Sequence, residues 1–172
     1  QAKGLDYSLC ALLGGNKADS DIYENGNFAT IYLSPANYHR IHMPCDGTLV
    51  KTVHVPGKLF PVGSRNISNM PNLYTVNERL VCFFDTDVGP MAVVMVGAAL
   101  VGSINTTWGG TVVRRKGIET LNYDGDNQYK FKRGDEIGYF KYVSTVIVLW
   151  AEDLEHLTEV KFGRSLIVEK KD

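Results

Sequence analysis

"NERLVCFFDTDVGPMAVVMVGAALVGSI", residues 77–104, holds two apolar, β-branched-rich runs separated by a short Gly-Pro interruption. The longer one, Met91 to Val101, falls well short of the roughly 18 apolar residues a membrane-spanning helix requires. It lacks the three-to-four spacing of an amphipathic helix and reads as buried strand.

The same reading extends outward in both directions. "NFATIYLS" (27–34) alternates, "GTLVKTVHVPG" (47–57) is rich in β-branched residues, and "STVIVLW" (144–150) and "RSLIVEK" (164–170) complete the set. Gly and Pro punctuate these runs at short intervals, which favours a sandwich over βαβ units. The expected fold is therefore mainly β (β-rich α+β), a single compact sandwich- or barrel-like domain with a few short helices. "DYSLCALLGG" (6–15) reads as a short helix stopped by glycines. "SPANYHRI" (34–41) reads as a second, with Ser34 as cap and Pro35 at its first position. "NYDGDNQYKFKRGDE" (122–136) reads as an exposed loop or hairpin.

At 172 residues and 19.1 kDa one domain can bury a substantial core. A formal net charge of −1 gives no sequence-wide attraction to nucleic acid. The local cluster Arg114-Arg115-Lys116 reads as a solvated face. Three cysteines without a CxxC pair argue against a disulfide framework and for a reducing compartment. The N-terminal "QAKGLDYSL" has no basic region followed by an apolar block, so no signal peptide is expected.

Titratable side chains concentrate in "NYHRIHMPCDG" (37–47). His39 and His42 stand three apart, sharing a face on a helical turn but pointing to opposite sides on a strand. Cys45 or Asp46 could complete a metal set, but no other clustered ligands occur. An acid–base role suits imidazole, whose ordinary pKa is near 6.5. A plain structural role stays open at this level. His54 and His156 are isolated, and Glu78 and Arg79 are expected in ion pairs.

"YLSPANYHRIHMPCDG" (32–47) resembles the signature of the phosphatidylserine decarboxylase family in its bacterial form. The resemblance continues through "VPGKLFPV" (55–62), residues 71–104 and "GDEIGYFKYVSTVI" (134–147), and covers residues 1–172 as one domain. It implies a proenzyme in which a serine attacks the carbonyl of the preceding residue and becomes a pyruvoyl group. That group condenses with the substrate amine and accepts electrons as carbon dioxide leaves. It also implies that the two histidines, His39 and His42 here, serve cleavage and decarboxylation. Ser144 matches the cleavage serine. The region of Phe60, Val62 and Ser64, with Tyr142, is expected to wall the substrate pocket, and no metal is implied. The family's assisting aspartate, in a Pro-Ala-Asp-Gly context, lies upstream of where this sequence begins.

One departure matters. Where the family has Leu-Gly before the serine, this chain has Tyr142-Val143. Valine restricts the backbone and crowds the carbonyl under attack. We therefore read an unprocessed protein that keeps its His/Ser pocket for other acid–base or acyl chemistry on a small amino-acid-derived or lipid substrate. The alternatives are a pyruvoyl-dependent decarboxylase of phosphatidylserine or a related amino acid, and a non-catalytic lipid- or protein-binding homologue. No cofactor is expected unless Ser144 becomes pyruvoyl. Partners are a small-molecule or phospholipid substrate and no nucleic acid, with room for peripheral membrane contact and a homodimer. The expected location is cytoplasmic or membrane-associated.

Overall fold

The structure is a computed structural model that describes residues 7–36, 38–62, 70, 72–98, 104–141 and 143–152. Its strands are β1 (Asn27–Leu33), β2 (Arg40–His42), β3 (Gly47–Val55), β4 (Arg79–Thr86), β5 (Gly89–Val96), β6 (Ile104–Thr106), β7 (Gly110–Thr111), β8 (Glu119–Asn122), β9 (Tyr129–Phe131), β10 (Glu136–Phe140) and β11 (Ser144–Trp150). Short helices α1 (Leu9–Leu12), α2 (Lys17–Asp21) and α3 (Leu73–Val76) accompany them.

The stretch that opens the sequence analysis forms the central hairpin. β4 and β5 pair antiparallel from Arg79↔Val96 to Thr86↔Gly89. Gly89 takes φ +89°, the left-handed region that glycine enters without strain. Thr86 Oγ1 donates to the Gly89 carbonyl at 2.6 Å and accepts from Val88 N–H at 3.2 Å, which closes the turn. Both strands are buried on both faces, and this is why their sequence is a continuous apolar run and not an alternation.

Around this hairpin a seven-stranded antiparallel sheet runs β1-β11-β5-β4-β3-β8, with β9 also on β3. A four-stranded sheet, β2-β10-β6-β7, packs on one face. Leu80, Cys82, Phe84, Met91, Val93, Met95, Val146 and Trp150 meet Ile41, Met43, Ile104, Ile137 and Phe140 in that layer. The opposite face, with Val81, Phe83, Val94, Val96, Ile147 and Leu149, is covered by Leu12, Leu13, Leu73 and Tyr74 from the helices. A bulge in β3 between Leu49 and Lys51 turns both Val50 and Lys51 to the helix side, where Lys51 pairs with Asp19 and lies over the Phe83 ring.

Among the described residues Arg79 has no ion-pair partner, in contrast to the expectation. Its guanidinium is buried and donates to the carbonyls of Ala11 (2.5 Å), Leu12 (2.7 Å), Thr75 (2.8 Å) and Asn77 (2.9 Å). The last carbonyls of α1 have no partner within the helix, and this cation supplies one.

The helix expected over 34–41 does not form. Pro35 and Ala36 make only a turn, and Arg40–His42 is a strand. Ile41 and Met43 are both buried, an alternation that suits a strand, and Arg40 pairs with Tyr139 of β10. The strand expected over 164–170 lies outside the described residues.

Candidate active site

Ser144 is the first residue of β11 and stands opposite Leu33 of β1. It is 0% exposed, and its hydroxyl has no hydrogen-bond partner among the described residues. Alternation along β11 puts it on the side of Val146, Val148 and Trp150, facing the small sheet. Its neighbours face the other way. Val143 is half-buried against the helix-side core. Thr145 lies beside the Tyr74 hydroxyl without reaching hydrogen-bond geometry.

The strand geometry of β2 separates the two histidines. His39, just before β2, falls on the inward side shared by Ile41 and Met43. It is half-buried, and its Nδ1 is buried without a partner. Its carbonyl accepts from Phe140 N–H at 3.0 Å, and Phe140 precedes Ser144 by only four residues. His39 and Ser144 thus arrive at the same end of the layer between the sheets. His42 is exposed, three residues or about 10 Å further along the strand. Its Nδ1 lies 2.7 Å from the Gly134 carbonyl, which can only accept, so the proton sits on Nδ1. In that tautomer Nε2 accepts from the Tyr38 hydroxyl at 2.8 Å, and the two rings stack 5.6 Å apart. His42 also rims a groove of 140 Å³ walled by Ile31, Leu33, Ile41 and Val146.

Of the residues expected to wall the pocket, Phe60 and Val62 fall within the described residues. Val62 is fully buried in the helix-side core, and Phe60 packs against it. Phe60 is held by Asn77, whose Oδ1 accepts from its N–H at 3.1 Å and whose Nδ2 donates to its carbonyl at 2.8 Å. Ser64 and Tyr142 lie outside the described residues. Cys45 is buried, which pushes its thiol pKa up, and Asp46 is engaged by Lys132 at 2.7 Å. Among the described residues no three His, Cys, Asp or Glu side chains gather around a metal position.

A buried charge cluster that residue spacing does not reveal completes this end of the sheet. His54 Nε2 is 2.9 Å from Glu78 Oε1, with both side chains almost fully buried. Arg114 Nε reaches Glu78 Oε2 at 2.9 Å. The rung Thr145–Val96–Arg79–Val55 crosses four strands, so one position further out stand Ser144, Gly97 and Glu78. Gly97 N–H donates to the Glu78 carbonyl at 2.9 Å, which confirms that alignment. Gly97, between Ser144 and Glu78, carries no side chain, and the space its Cβ would take is bordered by Leu59 Cδ2 at 3.3 Å. The Ser144 and Glu78 backbones are two strand spacings, about 10 Å, apart.

A profile of the phosphatidylserine decarboxylase family matches residues 1–168. The chain belongs to this family. It is 52% identical over 157 residues to the phosphatidylserine decarboxylase proenzyme of Pseudoalteromonas translucida, covering 89% of this chain and 54% of that protein. The proenzyme of Idiomarina loihiensis is 50% identical over 166 residues, covering 94% and 57%. That of Aliivibrio fischeri is 50% identical over 170 residues, covering 96% and 58%. The chain thus spans little more than half the length of the curated phosphatidylserine decarboxylase relatives it matches.

Proposed function

We propose that this chain carries the catalytic part of a pyruvoyl-dependent phosphatidylserine decarboxylase, with Ser144 as the residue that becomes the pyruvoyl group. The observation behind this is the Ser144 hydroxyl, buried and partnerless among the described residues at the head of a strand, in a chain half-identical to decarboxylase proenzymes. A buried hydroxyl without a partner is unfavourable and calls for an explanation, which the cleavage chemistry supplies for Ser144. These residues fit the group. Once formed, it would supply an electrophilic carbonyl that takes up the electron pair released as carbon dioxide departs.

The chain's own side chains take the remaining roles. Ser144 Oγ loses its proton and attacks the Val143 carbonyl, and the Val143–Ser144 C–N bond breaks as the ester forms. Elimination of the Val143 carboxylate followed by hydrolysis releases ammonia and leaves the pyruvoyl group. We assign His39, half-buried just before β2, to receive the hydroxyl proton. His42 holds a basic Nε2 behind the Tyr38 hydroxyl and serves proton transfer at the groove mouth. Glu78, 2.9 Å from both His54 and Arg114, is on the face of the sheet that Ser144 shares and is the carboxylate we assign to the substrate's ammonium. The apolar groove beside Leu33 suits a lipid chain over a free amino acid.

Intact mass under denaturing conditions tests this reading. Two fragments split between Val143 and Ser144, with carbon dioxide released from phosphatidylserine, support it. Loss of both in Ser144→Ala, with the fold intact by circular dichroism, ties them to the hydroxyl.

A second reading has its own support. Val143 is packed into the helix-side core, which holds the acyl side of the bond in place and restricts its backbone. On that reading the chain stays whole and Ser144 acts as an acyl-accepting nucleophile. A chain that remains intact, and that divides in Val143→Gly, would select it.

A further inference from the structure

Glu78 ties a second feature to the Ser144 end of the sheet. Arg114 Nε lies 2.9 Å from Glu78 Oε2 as an ion pair, and its Nη2 donates to the Gly57 carbonyl at 2.9 Å, which anchors residues 112–118 there. From this anchored segment Val113 projects with 63% of its surface exposed and Ile118 with 55%. Leu121, opposite Thr52 on the adjoining edge strand, is 50% exposed. None of the three joins either core. Exposed Arg115 and Lys116 lie between Val113 and Ile118, and exposed Lys58 adjoins Gly57. The acidic residue of this stretch, Glu119, stands 3.5 Å from Arg115 and offsets one charge.

A solvated basic face accounts for the cations but not for the aliphatic side chains among them. A contact between two copies accounts for the aliphatic side chains but opposes like charges. Aliphatic tips between basic residues match the boundary of an anionic bilayer, where the tips enter the acyl region and the cations meet phosphate.

We propose that residues 112–118, with Leu121 and Lys58, are a docking surface for an anionic phospholipid bilayer. Docking there turns the Ser144 end of the sheet toward the lipid. This deepens the reading of a lipid substrate, and its test reads binding and not turnover, so the two fail separately.

The experiment is co-sedimentation of the 172-residue chain with phosphatidylcholine vesicles and with phosphatidylcholine–phosphatidylglycerol vesicles. Binding is expected to the anionic vesicles and to weaken with salt. Arg115→Glu with Lys116→Glu should lower the partition coefficient at least about thirtyfold, the effect of losing two surface cations. Val113→Ser with Ile118→Ser should lower it as well while leaving the salt dependence. Lys130→Glu with Arg133→Glu reverses the same charge at the opposite end of β3, near Gly47 and Thr48, and should leave binding unchanged. Thermal melts of each variant report folding independently. Equal partitioning of all four proteins, or no partitioning by any, overturns the proposal. So does a dimer by sedimentation that Val113→Ser with Ile118→Ser dissociates without altering vesicle binding, which assigns the face to a second copy.

Discussion

At the scale of single residues, Glu78 organises more of this molecule than its place in the sequence suggests. Its buried carboxylate serves an imidazole from β3 and a guanidinium from the segment after β7. Glu78→Gln would leave buried His54 and half-exposed Arg114 facing a neutral amide. The expected loss is about 2 kcal/mol, the range for disrupting a buried hydrogen bond, or roughly 4–8 °C in melting temperature for a chain of this size. Arg114→Ala, whose side chain is 54% exposed, should lose about 1 kcal/mol. Tyr74 gives a second test. Burial pushes its phenol up to about 12, with Thr145 acting weakly in the opposite sense. A folded-state pKa above the unfolded one means the native protein keeps its proton longer. The associated stability is complete below pH 10 and is lost as pH rises toward 12. Burial also raises the pKa of Tyr23 and Cys82, which steepens the same alkaline limb. Denaturant midpoints measured from pH 8 to 11 should decline in the wild type and decline less in Tyr74→Phe.

At the scale of elements, what the sequence reveals depends on where each strand gets its stability. β4, β5 and β11 are buried on both faces, and their apolar runs declare them without knowledge of any partner. β2 is three residues long and exists because β10 offers it a ladder. Local signals at Ser34 and Pro35 point instead to a helix that tertiary pairing overrides. The same fact governs the site. His39 and His42 are visible as candidates from their spacing and family resemblance, but which imidazole faces inward is decided by the register of β2 on β10. Glu78 is expected in an ion pair from the sequence, but its partners His54 and Arg114 leave no local trace, because they come from a separate strand and a separate turn. Gly138 of β10 shows how tight this pairing is. A Cβ there would stand 2.3 Å from the Asn105 carbonyl of β6, closer than any side chain tolerates. Gly138→Ala should force β10 from β6 and destabilise by about 1–3 kcal/mol, the cost of overpacking. Thermal denaturation followed by circular dichroism reads it, and an unchanged midpoint would contradict the pairing.

At the scale of the whole molecule, the large sheet joins chain segments far apart in sequence. β1 lies beside β11 over the register Asn27↔Trp150 to Leu33↔Ser144, so an early strand closes on a late one. Such non-local pairing forms slowly, since a long loop must close before the contacts are made. On its other side β11 pairs with β5 from Thr145↔Val96 to Trp150↔Met91. The bond between Val143 and Ser144 therefore sits at the threshold of an interior strand, laced to neighbours on both flanks and buried along its length. Scission there would not liberate the downstream piece. The nicked protein should migrate as one particle under native conditions and part into two only in detergent or urea, like a zip whose slider has been cut away while the teeth stay meshed.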